Sequence, residues 1–230
     1  MSWKILLETL VGDKTLRGSP RGAAYVADHV QDMIAAGMGR IMTVGAFATG
    51  ITGGGAGTVL DQNQPEFAVG VPEGVSIMPV RVVMAVRPAL LAADSEVTEA
   101  LLAVDSKGYW TGDGTFTREN PSNMRTALGV GSLCNCGSAF TADMTTTQPG
   151  IAAAEPILDM ELDRVEQMGD VQGTAATVWQ NQLRLAYEPI RAPIVNGPAT
   201  MLGFWGGTVA AVGFATVAWV EGPTEQFFRR

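Results

Sequence analysis

Lysine, histidine and cysteine are nearly missing from this chain. Its 230 residues include three Lys, one His and two Cys. The lone imidazole, His29, leaves no partner for a histidine metal cage, and no Ser or Cys motif beside it builds a nucleophile–base pair. Two thiols, Cys134 and Cys136, cannot make a disulfide framework. A bridge across one intervening residue is also geometrically awkward, so they read as buried or turn-associated free thiols. Charged residues are 17% of the chain, under the ~25% of an ordinary soluble domain. That excludes a highly charged, disordered polymer. The opening Met1-Ser2-Trp3-Lys4 and the Ile5, Leu6, Leu7, Glu8 that follow lack a long apolar run and a cleavage site. No secretory signal is expected, and a reducing compartment is.

Acid outweighs base, with a net charge of −8. Such a surface repels phosphate backbones, so weak or no direct nucleic-acid binding is expected. The excess is uneven. Residues 1–40 carry five basic and four acidic side chains, a balance of +1, which leaves −9 for residues 41–230, the basic tip at Arg229 and Arg230 included. No cofactor motif stands out. The stretch 50–57 is glycine-rich but lacks the Lys-Ser/Thr ending of a P-loop and the spacing of a dinucleotide fingerprint. It reads as a surface loop, and no cofactor or metal is expected.

What the chain does have is periodicity. Residues 19–38 predict a helix, with Ser19 as N-cap, Pro20 in the first turn and Gly37 at the end. Ala23, Val26, Val30, Met33 and Ile34 share one face at three-to-four spacing. Residues 4–11 are open between strand and helix. Beyond residue 40 the period falls to two. Over 75–87, Met78, Val80, Val82, Met84 and Val86 share a face, and Pro79 suits an edge or a strand entry. Leu158, Met160 and Leu162 alternate with Asp159, Glu161 and Asp163. Trp179, Leu183, Leu185 and Tyr187 alternate with polar residues, and 213–221 reads as a strand covered on both faces. Residues 109–117 read as a hairpin around a turn cluster, and 95–104 as a short helix. The expected fold is mainly β: one β-sandwich over 41–230 behind an N-terminal helical arm at 1–40.

Two segments carry competing readings. Asp159, Glu161 and Asp163, at i, i+2 and i+4, point the same way if the strand is regular, about 7 Å apart per step. The pattern is similar to the Glu-x-Asp-x-Glu strand of jelly-roll glycoside hydrolases with the residue types exchanged. It reads as a solvated strand face, a calcium or intersubunit charge contact, or a carbohydrate-active site. Residues 201–220 run without a charge and meet the length of a membrane helix. Gly206-Gly207 between two apolar halves signals a turn, which favours a buried hairpin over a membrane anchor.

The order of segments resembles single jelly-roll viral capsid proteins, particularly those of bacterial viruses. The resemblance rests on 65–86, with its Pro72-Glu73-Gly74 turn and Pro79 strand entry, and on Gly197-Pro198-Ala199 followed by the closing strand 213–221. It covers about 160 residues loosely and carries no catalytic residues. It narrows the expected fold to a jelly-roll β-sandwich and implies eight strands, trimeric or pentameric packing, arms that tie neighbours together, and a virion protein assembled in the host cytoplasm. Expected partners are copies of itself and other capsid proteins. The apolar helix face covers the sandwich or docks on a neighbour. Val26, Val30, Met33, Ile34, Phe227 and Phe228 are the candidate oligomer-interface residues. No catalytic role is expected.

Overall fold

A computed structural model describes residues 16–18, 24–26, 29–45, 49–53, 60–88, 97–148, 151–168, 183–207 and 211–227. The fold is carried by strands β1 (Gly39–Val44), β2 (Phe67–Val71), β3 (Val75–Pro88), β4 (Val97–Asp105), β5 (Asn135–Ser138), β6 (Met160–Met168), β7 (Leu183–Tyr187), β8 (Ala199–Gly207) and β9 (Ala211–Pro223). Two helices accompany them, α1 (His29–Ala35) and α2 (Thr224–Phe227). One sheet has the order β6-β4-β8-β2-β5 and the other β7-β3-β9-β1. All their pairings are antiparallel. The two sheets pack face to face around one main core.

The chain order has a simple rule. Leave out β5, which only extends the edge beside β2. The first strand then pairs with the last, β1 with β9. The second pairs with the next to last, β2 with β8. The pairs β3 with β7 and β4 with β6 complete the nesting. Nested long-range pairing brings Gly39 opposite Val220, so β1 and β9, far apart in sequence, are neighbours in one sheet.

Alternation builds the interior where one face is wet. In β7, Leu183, Leu185 and Tyr187 are buried while Arg184 and Ala186 are exposed. β2 and β8 show no such alternation, because both of their faces are covered. Their inner residues Phe67, Val69, Met201 and Trp205 join the main core. Their outer residues Ala68, Leu202 and Phe204 meet Trp110, Phe140 and Met144 from the excursion 106–159. The Trp110, Phe116 and Phe140 rings contact one another at centroid distances of 4.8–5.3 Å. Each fully buried aromatic or aliphatic side chain contributes about 1.5–3 kcal/mol relative to exposure, so the excursion is a second wall and not a loose loop.

Several expectations change. The helix predicted for 19–38 is confined to α1, and Ala24–Val26 instead pairs with Leu16–Gly18. The β preference of Tyr25 and Val26 is satisfied by that local hairpin. Gly37, at φ +85°, ends α1, with Met38 N–H donating to the Met33 carbonyl. The helix expected at 95–104 is β4, whose burial on both faces erases the two-residue signal. Residues 109–117 form no hairpin: Tyr109 bridges to Thr147, and Thr117–Arg118 pairs with β5. Pro79 lies within β3, between the β7 pairing that ends at Val82 and the Val195–Asn196 pairing at Ile77, so it has a strand partner on the β9 side only and sits at a local edge. It is tolerated because Trp219 faces Pro79 and Ala218 faces Arg81, which leaves Val80 as a bulge. The bulge also splits the predicted face. Val82, Met84 and Val86 enter the main core, whereas Met78 and Val80 join Met33 and Val220 on the outer side. The run 201–220 breaks where expected, but β8 and β9 lie in different sheets and do not pair as a hairpin. No described helix is long and apolar enough to cross a membrane. The boundary set at residue 40 falls inside β1, and residues 4–11 lie outside the described residues.

Candidate functional site

The ends of the strands sort the loops into two groups. The register places Asp105, Met160, Ala199, Val71, Val75 and Pro223 at one end of the sandwich. The turn at 72–74, the excursion 106–159 and the connection 188–198 all emerge there. Two buried carboxylates hold this end together.

Glu221 is the first. It follows Trp219 by two positions on β9, so it faces inward at the rim of the core. Its carboxylate meets Arg40 Nε at 2.9 Å, an ion contact off the line of the N–H bond. It also accepts hydrogen bonds from Ser132 Oγ (2.6 Å), Leu133 N–H (2.8 Å) and Trp219 Nε1 (3.0 Å). Arg40 donates from Nη1 to the Gly37 and Gly39 carbonyls and from Nη2 to the Gly131 carbonyl. Cys134 and Cys136 are buried beside this pair as free thiols. Burial, and then the Glu221 charge, push both thiols far above their ordinary range. They are packing groups in their neutral form.

Asp105 is the second. It is fully buried at the end of β4. Oδ1 accepts from Lys107 N–H and Gly108 N–H at 3.1 and 2.7 Å. Oδ2 accepts from Thr146 Oγ1 and Ile157 N–H at 3.0 and 3.1 Å. One side chain thus ties down the start, the middle and the finish of the excursion.

The acidic ladder does not converge. Asp159 precedes β6, and a register shift between Glu161 and Asp163 breaks the regular alternation that would aim all three together. Asp159 accepts from Ser106 N–H and Oγ at 2.8 and 2.7 Å. Burial raises its pKa, but these bonds and Lys107 outweigh that and hold the carboxyl below its usual range. Glu161 pairs with Arg164 at 3.2 Å, and Asp163 accepts from Arg164 N–H. Each carboxylate has its own local partner. Among the described residues no group of three His, Cys, Asp or Glu side chains could hold a metal ion.

A shallow, wide-mouthed cleft of about 310 Å³ opens between the β1 and β5 edges, lined by Thr43, Ile51, Thr117, Glu119 and Ser138. Ser138 Oγ donates to Glu119 at 2.5 Å. Ala139, at φ +52°, closes its floor.

Of the interface candidates, Val30, Met33, Ile34 and Phe227 gather with Met78, Val80 and Val220 on the outer side of the β7-β3-β9-β1 sheet. They cover the sandwich of their own chain. Val26 belongs to Ala24–Val26, whose side chains lie outside the described set, as do the His29 side chain and Phe228. The glycine-rich stretch is described only over 50–53, where Gly53 is pressed against the Trp205 carbonyl. Sequence reasoning missed Glu221, Arg40 and Asp105. The one available signal was that each charge stands at or near an end of an apolar strand. The comparisons add no relative: no family model, curated protein or solved structure matches this chain.

Proposed function

We propose that this chain is a jelly-roll capsid subunit, a virion structural protein that self-assembles into a shell in the host cytoplasm. The observation that carries the reading is the nested pairing of β1 with β9, β2 with β8, β3 with β7 and β4 with β6. Eight antiparallel strands paired in that order over two sheets support a jelly-roll reading, the arrangement that viral capsid and lectin domains share. Because a fold hosts several functions, the surface must choose between them.

The surface favours assembly. Six large apolar residues are exposed among those described, and five of them, Val130, Leu133, Ile157, Ile190 and Ile194, sit on the loops at the Asp105–Glu221 end. Ile190 is fully exposed and Ile157 is 52% exposed. Apolar side chains gathered on one loop-bearing end fit burial against neighbours more readily than solvation. The segments that carry Leu133 and Ile157 are clamped by Glu221 and Asp105, so these side chains are presented in a fixed shape with little ordering cost on association.

Sedimentation or light scattering across protein and salt concentration tests this directly. Discrete oligomers or shells are expected. A chain that stays monomeric under every condition, and does not co-assemble with other capsid proteins, overturns the reading.

A further inference from the structure

The outer surface of the β7-β3-β9-β1 sheet is divided in two. Near the Glu221 end it is covered by α1 and α2 through the Met33, Met78, Val220 and Phe227 cluster. Toward the other end no described helix covers it. Because Val82, Met84, Val86, Leu183 and Leu185 fill the core, the alternate residues Arg81, Val83, Arg87 and Arg184 face outward. Val212, 37% exposed, and Phe214 complete an apolar floor between them.

The charges on this half-face are one-sided. Arg81 is paired with Glu188 at 2.7 Å. The Arg87 guanidinium lies over the Phe214 ring, 5.7 Å from its centroid, which holds it up from the sheet. Among the described residues, neither Arg87 nor Arg184 has a carboxylate at ion-pair distance. Arg184 is opposite Ala85, two residues from Arg87, so the two guanidiniums stem from diagonal neighbours about 7–8 Å apart. Among the described residues the half-face thus carries a surplus of two positive charges, on a chain of net charge −8.

The complementary surface is on the opposite sheet. Glu99, Glu161 and Glu166 surround Arg164 at 3.3, 3.2 and 3.6 Å. Three carboxylates share one guanidinium, which leaves a surplus of two negative charges. Glu99 and Glu166 are direct cross-strand partners, a placement that repels. Glu161 and Glu166 are each more than half exposed. Both surfaces are present on every copy, on opposite sides of the sandwich.

We infer that the open Arg87–Arg184 face docks a second copy of this chain, through that copy's Glu99–Glu161–Glu166 cluster. The contact rests on the self-assembly reading and deepens it. It is head-to-tail, so each copy uses both surfaces, and repetition closes a ring or shell or runs on as a filament. The apolar floor of Val83, Val212 and Phe214 separates this occupant from a nucleic-acid backbone, which rewards charge density and gains little from apolar contact.

Charge reversal and charge swapping test it. Association is measured by light scattering at low salt and again at 1 M salt. The wild-type chain is expected to associate more weakly at high salt, since screening shortens the reach of exposed charges. Arg87→Glu with Arg184→Glu should raise the concentration for half-association by about tenfold or more. Adding Glu161→Arg and Glu166→Arg to the same chain should restore most of that loss. The neutral pair Arg87→Gln with Arg184→Gln should weaken association in the same direction, and it serves if the reversed chain does not fold. Unchanged association in both arginine variants, or a folded charge-swapped chain with no recovery, overturns this contact while leaving self-assembly standing. A monomeric wild-type chain instead overturns the self-assembly reading beneath it. Binding of single-stranded DNA that the arginine variants lose while association is unchanged assigns the face to a polyanion and likewise overturns the contact.

Discussion

Arg40 and Glu221 meet at 2.9 Å with side-chain exposures of 4% and 0%, one from β1 and the other from the end of β9. A strand near the start of the described chain and one near its finish are thereby locked at the rim of the core. The pair also holds the carbonyls of Gly37 and Gly131 and the amide of Leu133, so it couples α1, the sandwich and the excursion.

Removing one partner strands the other in a dry site. Arg40→Met or Glu221→Gln should each destabilise the fold by roughly 3–5 kcal/mol. Replacing both with apolar residues should recover part of that loss. Urea midpoints of the two single variants and the double variant check this. Strict additivity of the singles would show that the two side chains do not act as a pair.

Asp105→Ala should loosen the excursion before it loosens the sandwich. Four donors lose their acceptor at once, and an unsatisfied buried group costs about 1–3 kcal/mol. Limited proteolysis should cut within residues 106–159 while the remaining strands stay protected. Cleavage no faster than in the wild type would refute the clamp.

Gly213 is flat against the Trp205 indole, and a Cβ there would approach the ring to 2.5 Å. Gly213→Val should therefore force the two sheets apart locally, at about 1–3 kcal/mol for overpacking. Thermal melting measures the loss, and Trp fluorescence reports whether the indole has moved.

Cys134 and Cys136 should resist alkylation in the native state at neutral pH. Both are buried, and burial together with the nearby Glu221 charge keeps them as thiols. Iodoacetamide should label them only after denaturation. Native labelling at the rate of a free thiol would contradict this packing.

The Asp159 carboxyl titrates below its usual range in the folded chain. Its contribution to stability is present above the unfolded value of about 3.9 and is lost as pH falls through the lower folded value. Asp159→Asn should lower the melting temperature at pH 7, and the gap to wild type should close at pH well under that unfolded value. A gap that is constant with pH would sever the link to Ser106.

Where one face of a strand is wet, its period is legible in the residues themselves. Leu183, Leu185 and Tyr187 alternate with Arg184 and Ala186 and are buried accordingly. The charge-free run 201–220 announced two covered strands and a break near Gly207, whose φ of +147° and tight fit against the Val97 carbonyl require glycine. Where both faces are covered the signal fails, and the residues of β4 read as a short helix. The same holds for Pro79, whose place inside a sheet depends on the bulge at Val80 of its own strand and on a gap in pairing on the β7 side.

By itself, then, the sequence determined a mainly β chain with short, turn-punctuated strands, because side-chain alternation and glycine placement act over a few residues. Tertiary structure alone decided which strands are neighbours, that β8 and β9 part into different sheets, and that Asp105 and Glu221 are anchors and not surface charges. Those outcomes depend on contacts between residues far apart in the chain, such as Gly39 with Val220, and no local pattern encodes what will face a side chain from the other sheet.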